Sequence, residues 1–176
     1  MKALITILAA LVVVSVVQSC SIRSSQVSSL IATFQEPSID LESYSWTMSY
    51  GSYSSNVYAV SSSGGTLFSN QFGDNVFFNG WSITEIAGLG INRANWKVVD
   101  NNSSRMFIRG STLVAEHYCK PWSSVERSNR VRFNQECGSF SSYSNVIITD
   151  SNGLITYIRQ AVLGTNTFLT LQKNSG

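Results

Sequence analysis

The sequence predicts an all-β protein, an antiparallel β-sandwich or partly open barrel of about ten strands with a short N-terminal helix ahead of it. Three observations predict it. From Ser45 onward apolar residues alternate with polar ones at period two, the spacing of a strand with one buried face. Turn residues recur between these segments: Gly64-Gly65, Asn79-Gly80, Gly88-Leu89-Gly90, Asn101-Asn102-Ser103 and Asp150-Ser151-Asn152-Gly153. Polarity comes from Ser and Asn, with 12% charged residues, 43% apolar residues and 2 prolines. That balance suits strands and turns better than surface helices, which favour Ala, Glu and Lys. The length of 176 residues is that of one compact domain, and a net charge of +2 is too slight for general nucleic-acid binding.

The N-terminal residues set the compartment. Lys2 is followed by an apolar run from Ala3 to Val17, closed by Gln18-Ser19-Cys20. The run has the length of a secretory signal core and is shorter than the roughly 20 residues of a membrane-spanning helix. Ser19 directly before Cys20 fits a bacterial lipoprotein signal, so residues 1–19 read as the signal peptide and Cys20 as the lipidated residue; ordinary secretory cleavage is the alternative, because Val17 and Ser19 are also small. Ser21 after the cysteine is compatible with export to the outer membrane, on its periplasmic side. Residues 20–43 form a tether, in which Val27, Leu30, Ile31 and Phe34 mark one face of a short helix that Pro37 stops.

Residues 44–176 form the β-rich domain. Trp46, Met48 and Tyr50 alternate with polar residues, and Val57–Val60 and Thr66–Ser69 flank a glycine turn. Asn75–Phe78 and Trp81–Ala87 flank Asn79-Gly80, a strong hairpin dipeptide. Further extended segments are Asn95–Asp100, Arg105–Arg109, Ser111–Tyr118, Arg130–Gln135, Tyr143–Thr149, Leu154–Val162 and Thr167–Leu171. With Cys20 lipidated, Cys119 and Cys137 remain as an even pair in an oxidising compartment, which favours a disulfide over two buried thiols. Such a bridge stabilises by about 3 kcal/mol on the chain-entropy model. His117 and the two cysteines lack zinc-ligand spacing, and nothing in the sequence calls for a metal or cofactor.

Two stretches carry a family resemblance. One is Ile147 to Gly164, where a strand leads into Asp150-x-x-Gly153, then Ile155, Gln160 on the return strand, and Leu163-Gly164; the other is Trp81 to Gly90, a strand running into Gly88-Leu89-Gly90. In these the sequence resembles the YjbF/GfcB family of outer-membrane lipoproteins, which are encoded with exopolysaccharide and group 4 capsule export genes. The resemblance implies a lipid-anchored, non-enzymatic accessory of exopolysaccharide or capsule secretion, with no catalytic residues to carry over. Its partners would be the outer membrane, an acidic polysaccharide or polysaccharide export proteins. The alternative is an adhesive or structural surface lipoprotein unrelated to export.

Read by their own chemistry, Asp150 and Gly153 are turn residues, and a buried Gln160 is expected to make structural hydrogen bonds. His117, the one histidine, is expected to be structural rather than a catalytic base. Glu36, Asp40 and Glu42 fall in the tether as a solvated face. Gly88-Leu89-Gly90 lacks the further glycine and lysine of a phosphate loop. Sugars are held by aromatic faces with planar polar groups beside them. Among Tyr44, Trp46, Tyr50, Tyr53 and Tyr58, Tyr53 in its Ser-rich turn is the best exposed stacking candidate, the others reading as core. From Arg105 to Arg132, six basic residues (Arg105, Arg109, Lys120, Arg127, Arg130, Arg132) face two acidic ones. They form a candidate polyanion-binding patch acting through screened attraction.

Overall fold

The computed structural model describes residues 45–90, 95–101, 103–139, 141–164 and 167–174. The signal segment, Cys20, the tether with its expected helix, and Tyr44 lie outside the described residues. Thirteen strands follow in order: β1 (Trp46–Tyr50), β2 (Tyr53–Ser62), β3 (Gly65–Ser69), β4 (Asn75–Phe78), β5 (Ile83–Ala87), β6 (Trp96–Asp100), β7 (Ser104–Arg109), β8 (Thr112–Cys119), β9 (Ser123–Arg127), β10 (Arg130–Gly138), β11 (Ser142–Thr149), β12 (Ile155–Ala161) and β13 (Phe168–Lys173). Every segment read as extended in the sequence forms one of them. The unforeseen strand is β9, whose five residues are all exposed and so show no alternation.

The strands pair antiparallel in sequence order from β1 to β8, then β10 to β13, and β13 returns to β1 over five register pairs. The result is a closed barrel of twelve strands, with β9 added on β10. Neither a sandwich nor a partly open barrel of about ten strands describes it. Alternation shows which face of a strand is buried, but closure depends on a partner at the far end of the chain, which period two does not encode.

Apolar side chains fill the inside. Met48 stands opposite Leu171, Leu171 opposite Ile158, and Ile158 opposite Ile147, all four buried. Thr47 and Ser49 alternate with them on the other face of β1, the reverse of the lipid-facing pattern of a membrane-spanning barrel. About eight strands already enclose only enough room for side chains, so twelve leave more to fill. Large rings do part of it, with Trp46 edge-on to Phe68 at 5.0 Å. Two connections fold inward to do the rest: Leu89 after β5, and Val162 with Leu163 after β12, are buried in the same apolar cluster.

Both inward turns need left-handed backbone. Gly88, Leu89 and Gly90 take φ of 84°, 59° and 66°, and Leu163 and Gly164 take 67° and 69°. A leucine there costs about 1–3 kcal/mol, which burying its side chain, worth about 1.5–3 kcal/mol, offsets. Asp74 holds the first turn by accepting the Leu89 N–H at 2.6 Å. A β-carbon on Gly88 would collide with the Asp74 carboxylate and stand 2.9 Å from its Cα. Gly88→Ala therefore combines wrong backbone with a clash. It is expected to lower unfolding free energy by about 2–4 kcal/mol, read as a lower urea midpoint at unchanged m-value.

β10 is shared between neighbours. One edge pairs with β11 over eight residues. The other meets β9 along residues 130–134 but β8 at only two pairs, Cys137 with Cys119 and Gly138 with Tyr118. Cys119 and Cys137 are bonded as a disulfide, as their even count implies. Ser128 and Asn129, at φ of 51° and 59°, make the two-residue turn that folds β9 back onto β10.

Candidate functional site

The barrel interior contains a polar joint as well as its apolar core. Gln160, fully buried on β12, reaches across to the start of β5. Its Oε1 accepts the Ile83 N–H at 2.9 Å and Arg105 Nη2 at 2.9 Å, and its Nε2 donates to the Trp81 carbonyl at 2.7 Å. Arg105 is also fully buried. Its Nη1 donates to both oxygens of Asp100, at 3.1 and 2.9 Å, and the Ser82 hydroxyl donates to the same carboxylate. Arg105 Nε has no partner among the described residues. Burial pushes the guanidinium pKa down, and Asp100 opposes this. The two stretches that carry the family resemblance thus meet at Gln160.

Above this joint lies an open cleft of about 500 Å³, lined by Asn79, Trp81, Ser82, Asp100, Asn101, Pro121, Trp122 and Gln135. Asn79 shapes its edge, its Oδ1 accepting the N–H groups of Trp81 at 3.0 Å and Ser82 at 2.8 Å. Trp81 is 50% exposed. Its ring lies 5.7 Å from Trp122, tilted by 48°, and 5.4 Å from Phe133, edge to face. Gln135 is held by Asn145, whose Nδ2 donates to Gln135 Oε1 at 3.0 Å and whose Oδ1 accepts the Ala161 N–H at 2.9 Å. The exposed part of the lining therefore combines aromatic rings with the Asn79 and Asn101 carboxamides, and the rest is buried Ser82 and Gln135 with one carboxylate already matched by Arg105.

The expected basic patch does not assemble. Arg105 is inside the barrel and paired with Asp100 at 2.9 Å, so it is not available to a polyanion. Burial was unreadable because its position alternates correctly for either face. Arg109 is exposed beside the β7–β8 turn, with its guanidinium 5.9 Å from the Trp96 ring. Lys120 pairs with Glu136 at 2.7 Å on the surface. Arg127, Arg130 and Arg132 are exposed together on the β9–β10 hairpin, Arg127 directly opposite Arg130. The combined length of β8 and β9 separates them from Arg109.

Tyr53 differs from its expected exposed placement. It is half-buried, packed on the core, and its hydroxyl donates to Asp74 and accepts from Asn70 Nδ2 at 3.3 Å. Burial, followed by the Asp74 carboxylate, raises its pKa. Burial also works against the Asp74 charge, but hydrogen bonds from Tyr53, the Leu89 N–H and Asn70 outweigh it and lower that pKa. Tyr53 thus belongs to the device that holds the Gly88-Leu89-Gly90 turn. Asp150 accepts the N–H groups of Asn152 and Leu154 at 2.9 and 3.0 Å, the turn chemistry read from the sequence.

His117 is buried, its Nδ1 2.9 Å from the Tyr143 hydroxyl. Burial, then the Arg105 charge, lowers its pKa, while burial pushes Tyr143 up to about 12. Among the described residues no group of three or more His, Cys, Asp or Glu side chains gathers to hold a metal ion. Trp81 and Trp122 are not among the site residues expected from the sequence. The signal was present: each follows a turn element, Gly80 or Pro121, where a tryptophan stands at a strand end rather than inside an alternating run.

No family model matches the chain, and no curated protein does. Among solved structures, the hypothetical lipoprotein YmcC from Escherichia coli has a similar fold, with a TM-score of 0.51 at 10% identity over 88% of this chain and 98% of that one. What the two share at that identity is the fold.

The polar interior gives two expectations. Gln160→Leu leaves the Ile83 N–H, the Trp81 carbonyl and an Arg105 nitrogen short of partners, so unfolding free energy should fall by about 2–5 kcal/mol in urea titrations. His117 has a folded pKa below the 6.5 of the free side chain, so the unfolded chain binds the extra proton. Its contribution is intact above pH 6.5 and is lost as pH falls below that value. Thermal midpoints of the wild type should therefore drop as pH falls below about 6.5, and His117→Gln should flatten that slope.

Proposed function

We propose that this protein is a lipid-anchored envelope protein that assists exopolysaccharide or capsule secretion without catalysing a reaction. The observation that carries this reading is the meeting of the two resembling stretches at Gln160, where their shared chemistry fixes Trp81 at the edge of an open cleft. The likeness of fold to YmcC, itself described as a hypothetical lipoprotein, fits an envelope lipoprotein. A binding role fits the groups present: Asp100 is engaged by Arg105 and Ser82, and His117 is enclosed against Tyr143. Acyl chains on Cys20 hold the domain at the outer membrane, on its periplasmic side. Anchoring raises the local concentration of a weak binding surface without any new contact. The partners in this reading are an acidic polysaccharide or the export proteins that move it.

Deleting the gene in its host should reduce polysaccharide at the cell surface several-fold. The wild-type gene should restore it, and Cys20→Ser, which takes up no radioactive fatty acid, should restore little. Surface polymer that is undiminished in the deletion strain overturns the reading.

A further inference from the structure

We propose that the cleft beneath Trp81 and Trp122 is a glycan-binding site that takes uncharged, hydroxyl-rich stretches of a polysaccharide by stacking a sugar ring on Trp81. This deepens the proposed envelope role and rests on it for the identity of the polymer. The chemistry of the walls selects the ligand class. An apolar ligand would strip water from the exposed carboxamides of Asn79 and Asn101 without replacing their hydrogen bonds, at a cost in free energy for each group. A nucleotide would need a cation at its phosphates, and no lysine or arginine lines the cleft. A sugar presents an apolar C–H face and a ring of hydroxyls, which match an indole beside carboxamides. The volume of about 500 Å³ is that of a small-ligand site, about 300–1,000 Å³.

Geometry decides how the ring sits. Carbon contact distances of about 3.5–4.0 Å mean that a ring sandwiched between two indoles needs them about 7–8 Å apart. Trp81 and Trp122 are 5.7 Å apart and inclined by 48°, too close to admit a ring between them, so the sugar stacks on the half-exposed Trp81 ring, which serves as the platform. That platform is rigid before any ligand arrives. Phe133 braces it edge-on, Gln160 holds the Trp81 carbonyl at 2.7 Å and Asn79 its N–H at 3.0 Å. Preorganised aromatic surface loses little freedom on binding. The exposed arginines of the β9–β10 hairpin lie outside the cleft, so contact within the cleft is insensitive to salt.

The test titrates full-length protein in detergent, followed by tryptophan fluorescence, with the polysaccharide purified from the host's surface, maltoheptaose and polygalacturonate as probes. The host polymer should shift or quench the emission. Trp81→Ala should weaken binding about tenfold or more, as loss of a central aromatic anchor does. Asn101→Ala, a loop change outside the core, should weaken it several-fold with an unchanged thermal midpoint. Affinity should hold between about 50 and 500 mM salt. Wild-type affinity in both variants, or no response to the host polymer, overturns the site. Preference for polygalacturonate that vanishes in high salt overturns the uncharged ligand class. Binding with normal surface polymer in the deletion strain would refute the export role and leave the site standing; loss of polymer without binding would do the opposite.

Discussion

A carboxamide out of reach of water must satisfy both its ends within the protein, and Gln160 does so by spanning the barrel to the main chain at Trp81 and Ile83. The same amide oxygen shares a buried guanidinium, so Arg105, Asp100 and Ser82 are fixed along with it. A buried charge stripped of one partner is far more costly than the intact pair is stabilising. The network therefore acts as a specification of geometry: β12, β5, β6 and β7 have one relative placement in which all of its members are bonded. The cleft inherits that placement, because Trp81, Ser82 and Asp100 belong both to its lining and to this network.

The second constraint is the volume enclosed by twelve strands. Side chains alone suit a narrower barrel, and this one is completed by chain that turns back inside, at Leu89 and at Val162 with Leu163. Leucine in left-handed backbone is uncommon, yet Leu89 and Leu163 both adopt it. Asp74, Tyr53 and Asn70 make a small hydrogen-bonded clamp for the first turn. Packing of Gly164 against Ala115 and Phe107 serves the second, where a β-carbon would come within 2.7 Å of Ala115. Gly88-Leu89-Gly90 and Leu163-Gly164 in the resembling stretches are thus explained by how the interior is filled.

Strands and turns were legible in the sequence because each is specified locally. Trp46 and Met48 alternate with polar neighbours, and Asp150 and Gly153 carry their turn chemistry within four residues. Closure was not legible, since β1 and β13 lie at opposite ends of the domain. β9 was silent because Ser123–Arg127 bury nothing. Of the candidate sites, Arg105 was counted as surface charge because its partner Asp100 lies across a hairpin. The burial of Tyr53 is not legible because the acid that holds it, Asp74, lies just before β4, two strands away. The aromatic-plus-amide chemistry expected near Tyr53 stands instead at Trp81 and Trp122, brought together by β9 and β10, whose arrangement no local pattern announced.

The narrow seam between β8 and β10 has a mechanical consequence. A ladder of two residue pairs gives little resistance to being peeled sideways, and the hairpin that carries Arg127, Arg130 and Arg132 projects beyond that seam. The Cys119–Cys137 bond occupies one of those two pairs. A sideways tug on the hairpin is therefore passed to β8 through a covalent link and cannot unzip the wall one rung at a time.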